Sequence, residues 1–380
     1  MSSWTIAIRV DSSQHIGTGH VVRCLTMAEE LKKRSVRVIF ICRVLLGDWT
    51  LFLRERGFET ISLSTEDELW DSDRDAVLTL EGLNNNQIFP DWLIIDHYQI
   101  GKDWERKIRS AVAKIMVIDD LADRSHDCDL LLDQNLYPGW QHRYNGLLPR
   151  NCRSLLGLQY LILREEFRQY KLNEPINSRP GHLKILLTFG GSDPSGLTEK
   201  VLLALDEICR KNQPTQDIMH VRVLVGQSYA EQSRLTDIIQ SLSFEVDLFT
   251  SVTQVIKHFE WADCAISASG LTTYELAYVG LPSLIIAAIE GQVAFAKELA
   301  RLQIHRYAGS YTLTKYKLVA QIQDFLLEFR TLQSKKIHLI DGSGLDRVLE
   351  YLLDPSESDR KAIEIQMKIS KISIKSGHLS

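Results

Sequence analysis

Residues 4–31, WTIAIRVDSSQHIGTGHVVRCLTMAEEL, constrain the fold of this chain more than any other stretch. Residues 4–10 are apolar and β-branched, which reads as a strand. Residues 11–18 make a polar turn that carries Gly17, and Gly19 follows. Val21, Cys24, Leu25, Ala28 and Leu31 then recur with the 3.6-residue period of a helix that buries one face. A strand, a glycine turn and a helix in that order leave the first helical N–H groups without intrahelical partners, and the helix dipole adds partial positive charge there. Such a place suits an anion or an oxygen-rich ligand. His20 stands in the first helical turn, where an imidazole can serve as a base, although a plain helix-start residue also fits this position. The glycine spacing matches neither G-x-G-x-x-G, because position 22 is valine, nor a Walker A loop, because the required lysine is missing.

The rest of the chain repeats this grammar. Strands are expected at 36–42, 59–63, 91–96, 114–118 and 129–132, separated by helices at 48–56, 66–83 and 102–112. Residues 140–182 are less regular, with a helix expected at 160–170. The segment NEPINSRP at 173–180 has the composition of a linker. The opening motif then returns as strand 183–188, glycine turn 189–196 and helix 197–210. Strands at 221–225, 245–249, 264–267 and 281–287 follow, with helices between them and a helical pattern over 311–353. Alternating strands and helices imply parallel sheets covered on both faces, and 380 residues are enough for two domains. The expected architecture is α/β: two Rossmann-like domains facing across a cleft, at 1–172 and 181–353, with 354–380 as a terminal helix or tail. In open parallel sheets ligands collect outside the carboxyl ends of the strands. Asp11, Tyr98, Asp119 and Asp120 fall on that rim.

Charge and composition narrow the partners. The net charge is −5 and no Lys/Arg block occurs, so nucleic acid is not an expected partner. The longest nearly apolar run, 278–289, is interrupted by Pro282 and falls short of the ~20 residues that span a bilayer. No membrane partner is expected, and the first residues lack a secretory signal pattern. Six cysteines are scattered with no C-x-x-C, the usage of reduced thiols in a cytoplasmic protein. His126, Asp127, Cys128 and Asp129 are metal-type ligands, but consecutive strand residues face opposite ways and cannot close one site. Neither a metal nor a cofactor is expected.

Two further stretches carry chemistry. The turn Gly190, Gly191, Ser192, Asp193, Pro194 offers stacked backbone N–H groups to a diphosphate, with Asp193 or Ser195 available to cap the next helix. In SASGLTTYELAYVGLP, 267–282, Glu275 stands early in a helix that leaves a tight turn. Its carboxylate can accept two hydrogen bonds from a ribose diol, or merely complement the helix dipole.

Together, R-x-D-S-S…I-G-x-G-H-x-x-R at 9–23, IIDHY at 94–98, IDDLADR-x-HDCDLLLDQN at 118–135, FGGSDP at 189–194, ASGLTTYELAYVGLP at 268–282 and the Gln292 site resemble one family. It is the UDP-sugar hydrolase family of pseudaminic acid biosynthesis, related to spore-coat polysaccharide proteins and, more distantly, to two-domain GT-B glycosyltransferases. The resemblance spans roughly 4–310. It implies cleavage of the sugar C1–O bond of UDP-2,4-diacetamido-2,4,6-trideoxy-β-L-altropyranose, with release of UDP. It implies His20 as the base, Tyr98 beside the sugar and Glu275 on the uridine ribose. Asp11 is expected to orient His20. The remaining substrate contacts are expected at Ser12, Gly17, Gly19, Gly190, Gly191, Ser192, Gly196, Ser269, Leu271, Thr272, Gly291 and Gln292. Gly196 and Gly291 replace an Asn that the family often has, so side-chain contacts there are lost while backbone contacts survive. UDP is a good leaving group, so no glycosidase-type carboxylate pair is required. One base and one water imply inversion at C1. The competing expectations are a glycosyltransferase in which an acceptor hydroxyl replaces water, a related nucleotide-sugar hydrolase of another surface polysaccharide pathway, and a non-catalytic protein that binds a nucleotide sugar.

Overall fold

The computed structural model describes residues 4–64, 69–170, 181–211, 218–226, 229–252, 254–330 and 340–353. The first unit builds from β1 (Thr5–Val10), α1 (Gly19–Lys33), β2 (Arg37–Arg43), α2 (Thr50–Glu55), β3 (Glu59–Leu63), α3 (Ser72–Asn85), β4 (Trp92–Asp96), α4 (Lys102–Ile108), β5 (Lys114–Ile118), β6 (Leu130–Asp133) and β7 (Arg153–Leu156). The seven strands are parallel and run in the order β3-β2-β1-β4-β5-β6-β7. Both faces are covered, which explains the near-continuous apolar runs. Ile6, Ile8 and Val10 of β1 pack with Val21, Cys24, Ala28 and Leu31 of α1, while Ala7 turns to the opposite core with Leu83, Trp104 and Ile108. Each fully buried Leu, Ile or Val contributes roughly 1.5–3 kcal/mol.

The second unit comprises α5 (Glu165–Arg168), β8 (His182–Thr188), α6 (Leu197–Lys211), β9 (Ile218–Val225), α7 (Gln232–Ser241), β10 (Glu245–Thr250), α8 (Ile256–Trp261), β11 (Cys264–Ala268), α9 (Leu271–Val279), β12 (Ser283–Ala287), α10 (Val293–Arg301), β13 (Arg306–Ser310) and α11 (Lys315–Glu328). Its parallel sheet runs β10-β9-β8-β11-β12-β13. Numbered within each unit, both sheets follow the doubly wound order 3-2-1-4-5-6, extended by β7 in the first. In that order the chain reverses direction across the sheet between strand 1 and strand 4. These switch points lie between β1 and β4, and between β8 and β11.

The domain limits differ from those expected. One compact unit takes the chain up to Asn135, Gly139–Ile162 and the segment from Ser343; the other takes Leu136–Pro138 and Leu163–Gly342. The last described helix, α12 (Gly344–Leu352), therefore belongs to the first unit. Its apolar face, Leu345, Val348, Leu349 and Leu352, completes the core over β1, β4 and α1. Trp92 Nε1 donates to the Leu352 carbonyl at 2.8 Å, and Arg34 pairs with Asp346 at 2.5 Å. Leu136 and Tyr137 go the other way: Leu136 N–H donates to the Tyr274 hydroxyl at 3.0 Å, and Tyr137 lies against Phe295. The linker expected at 173–180 and the tail at 354–380 lie outside the described residues. Two edge strands, β7 and β13, fall in stretches read as irregular or unassigned, RSLL and RYAGS, whose short mixed patterns carry no clear period. Of the helix expected at 160–170 only α5 forms.

Candidate active site

At the first switch point the register Val10↔Asp96 brings the end of β4 beside the start of the β1–α1 loop. The loop closes on itself: Ser13 Oγ accepts from His15 and Ile16 N–H, and Gly17 N–H donates to Ser13 O at 2.8 Å. Gly17 holds a φ of +80°, a conformation that favours glycine. Gly19 then opens α1, so His20 leaves the loop in the first helical turn.

His20 Nδ1 lies 2.6 Å from Asp96 Oδ1. Arg23, three residues along the same helix, clamps that carboxylate from Nε at 2.8 Å and Nη2 at 2.6 Å. Asp96 is fully buried. Burial opposes its charge, but Arg23 and His20 outweigh burial and hold it well below the usual carboxylate range. A carboxylate accepts only, so we assign the proton to Nδ1, which leaves the lone pair on Nε2. Tyr98 stands edge-on to the imidazole, ring centroids 4.5 Å apart. Its hydroxyl donates to Asp120 Oδ2 at 3.4 Å, and Arg23 Nη1 is 3.8 Å from the same oxygen. Burial and Asp120 push the phenol up, so it remains a donor.

Asp11 does not orient His20; Asp96 does. The Asp11 carboxylate is turned into a buried network, where it accepts from Arg9 Nη1 at 2.5 Å, Arg43 Nε at 2.8 Å and Arg43 N–H at 2.8 Å, with His97 Nε2 at 3.3 Å. Arg9 in turn donates to Asp75. This network ties the ends of β1, β2 and β4 together. Ser12 likewise serves the loop: its Oγ accepts from Trp49 N–H at 3.0 Å. Of the two rim aspartates, Asp120 faces Tyr98, whereas Asp119 is buried against Tyr144 and Arg124.

In the second unit the turn after β8 bends through Gly190 (φ +87°), Asp193 (φ +42°) and Gly196 (φ +61°). Asp193 is the cap: its two oxygens accept from Leu197 N–H at 3.0 Å and Thr198 N–H at 2.7 Å. Ser195 instead donates to Ala288 O at 2.6 Å. The first N–H groups of α6 are thus already matched by a carboxylate. The start of α9 differs. No side chain caps Leu271 or Thr272 from Gly270, and no acidic residue lies in the first turn. Thr273 Oγ1 accepts from Gly270 N–H at 3.1 Å, and the fully buried Ser269 Oγ has no partner among the described residues. Of the two helix starts, α9 is the better anion site. Gln292 Oε1 accepts from Ala288 N–H at 2.9 Å, and Gly291 is exposed beside it.

Glu275 is 6% exposed and is gripped by Arg164, whose Nε and Nη2 each donate at 2.7 Å. Neither Arg164 nor Asp96 is among the site residues expected from sequence. Asp96 carried a signal, since it ends a buried strand inside IIDHY; Arg164 carried none, because its partner is 111 residues away.

The HDCD residues do not converge. His126 pairs with Glu105, Cys128 meets Cys152, and Asp129 pairs with Arg109. Among the described residues, His220, Glu245 and Asp247 on β9 and β10 group together, but Glu245 is exposed and Asp247 is shared with Arg222. No described helix is long and apolar enough to cross a membrane.

Residues 185–343 match the Glycosyltransferase family 28 C-terminal domain. An uncharacterized protein of Methanocaldococcus jannaschii is 28% identical over 289 residues, 74% of this chain and 55% of that protein. The UDP-2,4-diacetamido-2,4,6-trideoxy-beta-L-altropyranose hydrolase of Campylobacter jejuni is 32% identical over 197 residues, 52% of this chain and 64% of the hydrolase. The spore coat polysaccharide biosynthesis protein SpsG of Bacillus subtilis is 25% identical over 361 residues, 93% and 99% of the two chains. The chain thus spans less than two thirds of the length of the first two relatives. Its relatives include both kinds of protein to which the motifs pointed. Acinetobacter baumannii MurG superposes with a TM-score of 0.60 at 13% identity, covering 92% of this chain and 99% of MurG. At that identity the likeness concerns the fold, two Rossmann-like domains of the GT-B kind.

Proposed function

We propose that this chain is an enzyme that processes a UDP-linked sugar in polysaccharide biosynthesis, and that it hydrolyses the sugar C1–O bond with inversion. The observation that carries this reading is the His20–Asp96 pair at the first switch point. Asp96 fixes the imidazole with Nδ1 as donor, and Nε2 takes the proton from water as oxygen attacks the anomeric carbon. A positioned base of this kind supplies typically 10²–10⁴-fold, or ~3–5 kcal/mol. The Tyr98 hydroxyl is available to the sugar. UDP departs with the C1 oxygen; within the second unit, the N–H groups at the start of α9 suit an anion such as a diphosphate. No general acid is needed for so good a leaving group. The C. jejuni relative supports a UDP-linked diacetamido-trideoxyhexose as the substrate.

A second reading is a glycosyltransferase, in which the same base deprotonates an acceptor hydroxyl. The family 28 match and the fold shared with MurG favour it. Incubation with a panel of UDP-sugars in H₂¹⁸O separates the two. Label on the released sugar supports hydrolysis at carbon; label on the diphosphate rejects C–O cleavage. Turnover only with an added acceptor supports transfer.

A further inference from the structure

The sulfur atoms of Cys128 and Cys152 stand 3.5 Å apart. Cys128 lies two residues before β6, and Cys152 immediately precedes β7. The starts of these strands are held in register, since Leu130 pairs with Arg153 and Arg153 N–H donates to Asp129 O at 3.0 Å. By that register Cys152 stands opposite Asp129, one residue beyond Cys128, so a strand spacing of about 4.8 Å and a rise of about 3.3 Å put the two α-carbons roughly 6 Å apart, inside the roughly 4.4–6.8 Å that a disulfide spans. Both thiols meet the same core, Cys128 within it and Cys152 at its margin. The Cys128 segment is anchored on each side, because Arg109 donates to Asp127 O and to the Asp129 carboxylate. Cys128 is 2% exposed, whereas Cys152 is half-buried.

We propose that Cys128 and Cys152 form an oxidation site for small-molecule disulfides. The accessible Cys152, as thiolate, attacks one sulfur of the oxidant and expels its other half as a thiolate. Cys128 then gives up its proton, and its sulfur attacks Cys152 in the mixed disulfide and expels the second half. Two protein thiols are oxidised, and one small disulfide is reduced to two thiols, which carry the two protons. The order follows from access: Cys152 is reachable, and Cys128 is already in contact with it. The contact with Cys152 and burial both push the Cys128 thiol up, so it does not compete as the first nucleophile. The bond ties the edge strand β7 to β6 and leaves His20 and the second unit untouched.

The full-length protein is incubated with oxidised glutathione at graded redox poise, alkylated and mapped as unreduced peptides. A link between residues 128 and 152 is expected before any other, with loss of two of the six free thiols and a higher melting temperature. Cys128→Ser is expected to retain glutathione on Cys152 as a stable adduct, and Cys152→Ser to give neither adduct nor link. Absence of the link at a poise that oxidises a control vicinal dithiol overturns the proposal. So does glutathione accumulating on Cys152 while Cys128 stays free.

Discussion

Asp96 Oδ1 sits 2.6 Å from Nδ1 of His20, across 76 residues of sequence, and Arg23 donates to both oxygens of the same carboxylate. In the proposed reaction the pair acts as one unit: Asp96 sets the tautomer, and His20 presents Nε2.

His20→Ala is expected to lower turnover of the UDP-sugar by about 10²–10⁴-fold while UDP affinity stays nearly constant. Asp96→Asn is expected to lower kcat with little change in KM. Because the residues act together, the double variant is expected to fall little further. Steady-state kinetics and calorimetry with UDP check all three; full activity in His20→Ala removes it as the base.

Arg164 and Glu275 test a different division of labour. Breaking this largely buried pair is expected to cost about 1–3 kcal/mol, reduced by the partial exposure of Arg164. If Glu275 also binds the ribose, Glu275→Ala weakens UDP more than Arg164→Ala does at equal loss of stability. Equal affinities in the two variants assign Glu275 to the ion pair alone.

Asp193→Ala is expected to destabilise the protein by about 1–2 kcal/mol through loss of the α6 cap. Asp193→Asn keeps an acceptor and removes the charge. If the diphosphate binds at α9, UDP affinity is expected to be unchanged in Asp193→Asn. A clear gain in affinity would place the anion at α6 instead, where the native carboxylate opposes it.

His305 supplies a pH signature. Its Nε2 lies 2.8 Å from Thr273 O, and burial lowers its pKa to about 4. Between that value and the ordinary 6.5 the unfolded chain binds a proton that the native state does not. This contribution is therefore present above pH 6.5 and lost as pH falls toward 4, on the order of a few kcal/mol. His305→Gln keeps a donor for Thr273 O without titrating. Its melting temperature is expected to fall less steeply over this window than that of the unaltered chain; parallel curves reject the assignment.

Much of the fold is legible from residues that act locally. The apolar runs of β1, β4 and β8, and the helical periods of α1 and α6, mark two parallel-sheet domains, each beginning with the same strand, turn and helix. The short edge strands β7 and β13 escape, because four or five mixed residues carry no readable period. α12 is recognisable as a helix, but nothing in its own residues shows that its apolar face closes the first core.

The order of elements, the loop that carries His20 and the glycines that shape the turns follow from sequence alone, since backbone preference and periodicity are properties of neighbouring residues. Which carboxylate meets His20 is decided elsewhere. Asp11 is nearer along the chain, yet the parallel register of β1 with β4 puts Asp96 at the imidazole, while Arg9 and Arg43 draw Asp11 into the interior. Strand order and register choose the partners of side chains, and they exist only once the sheet has formed.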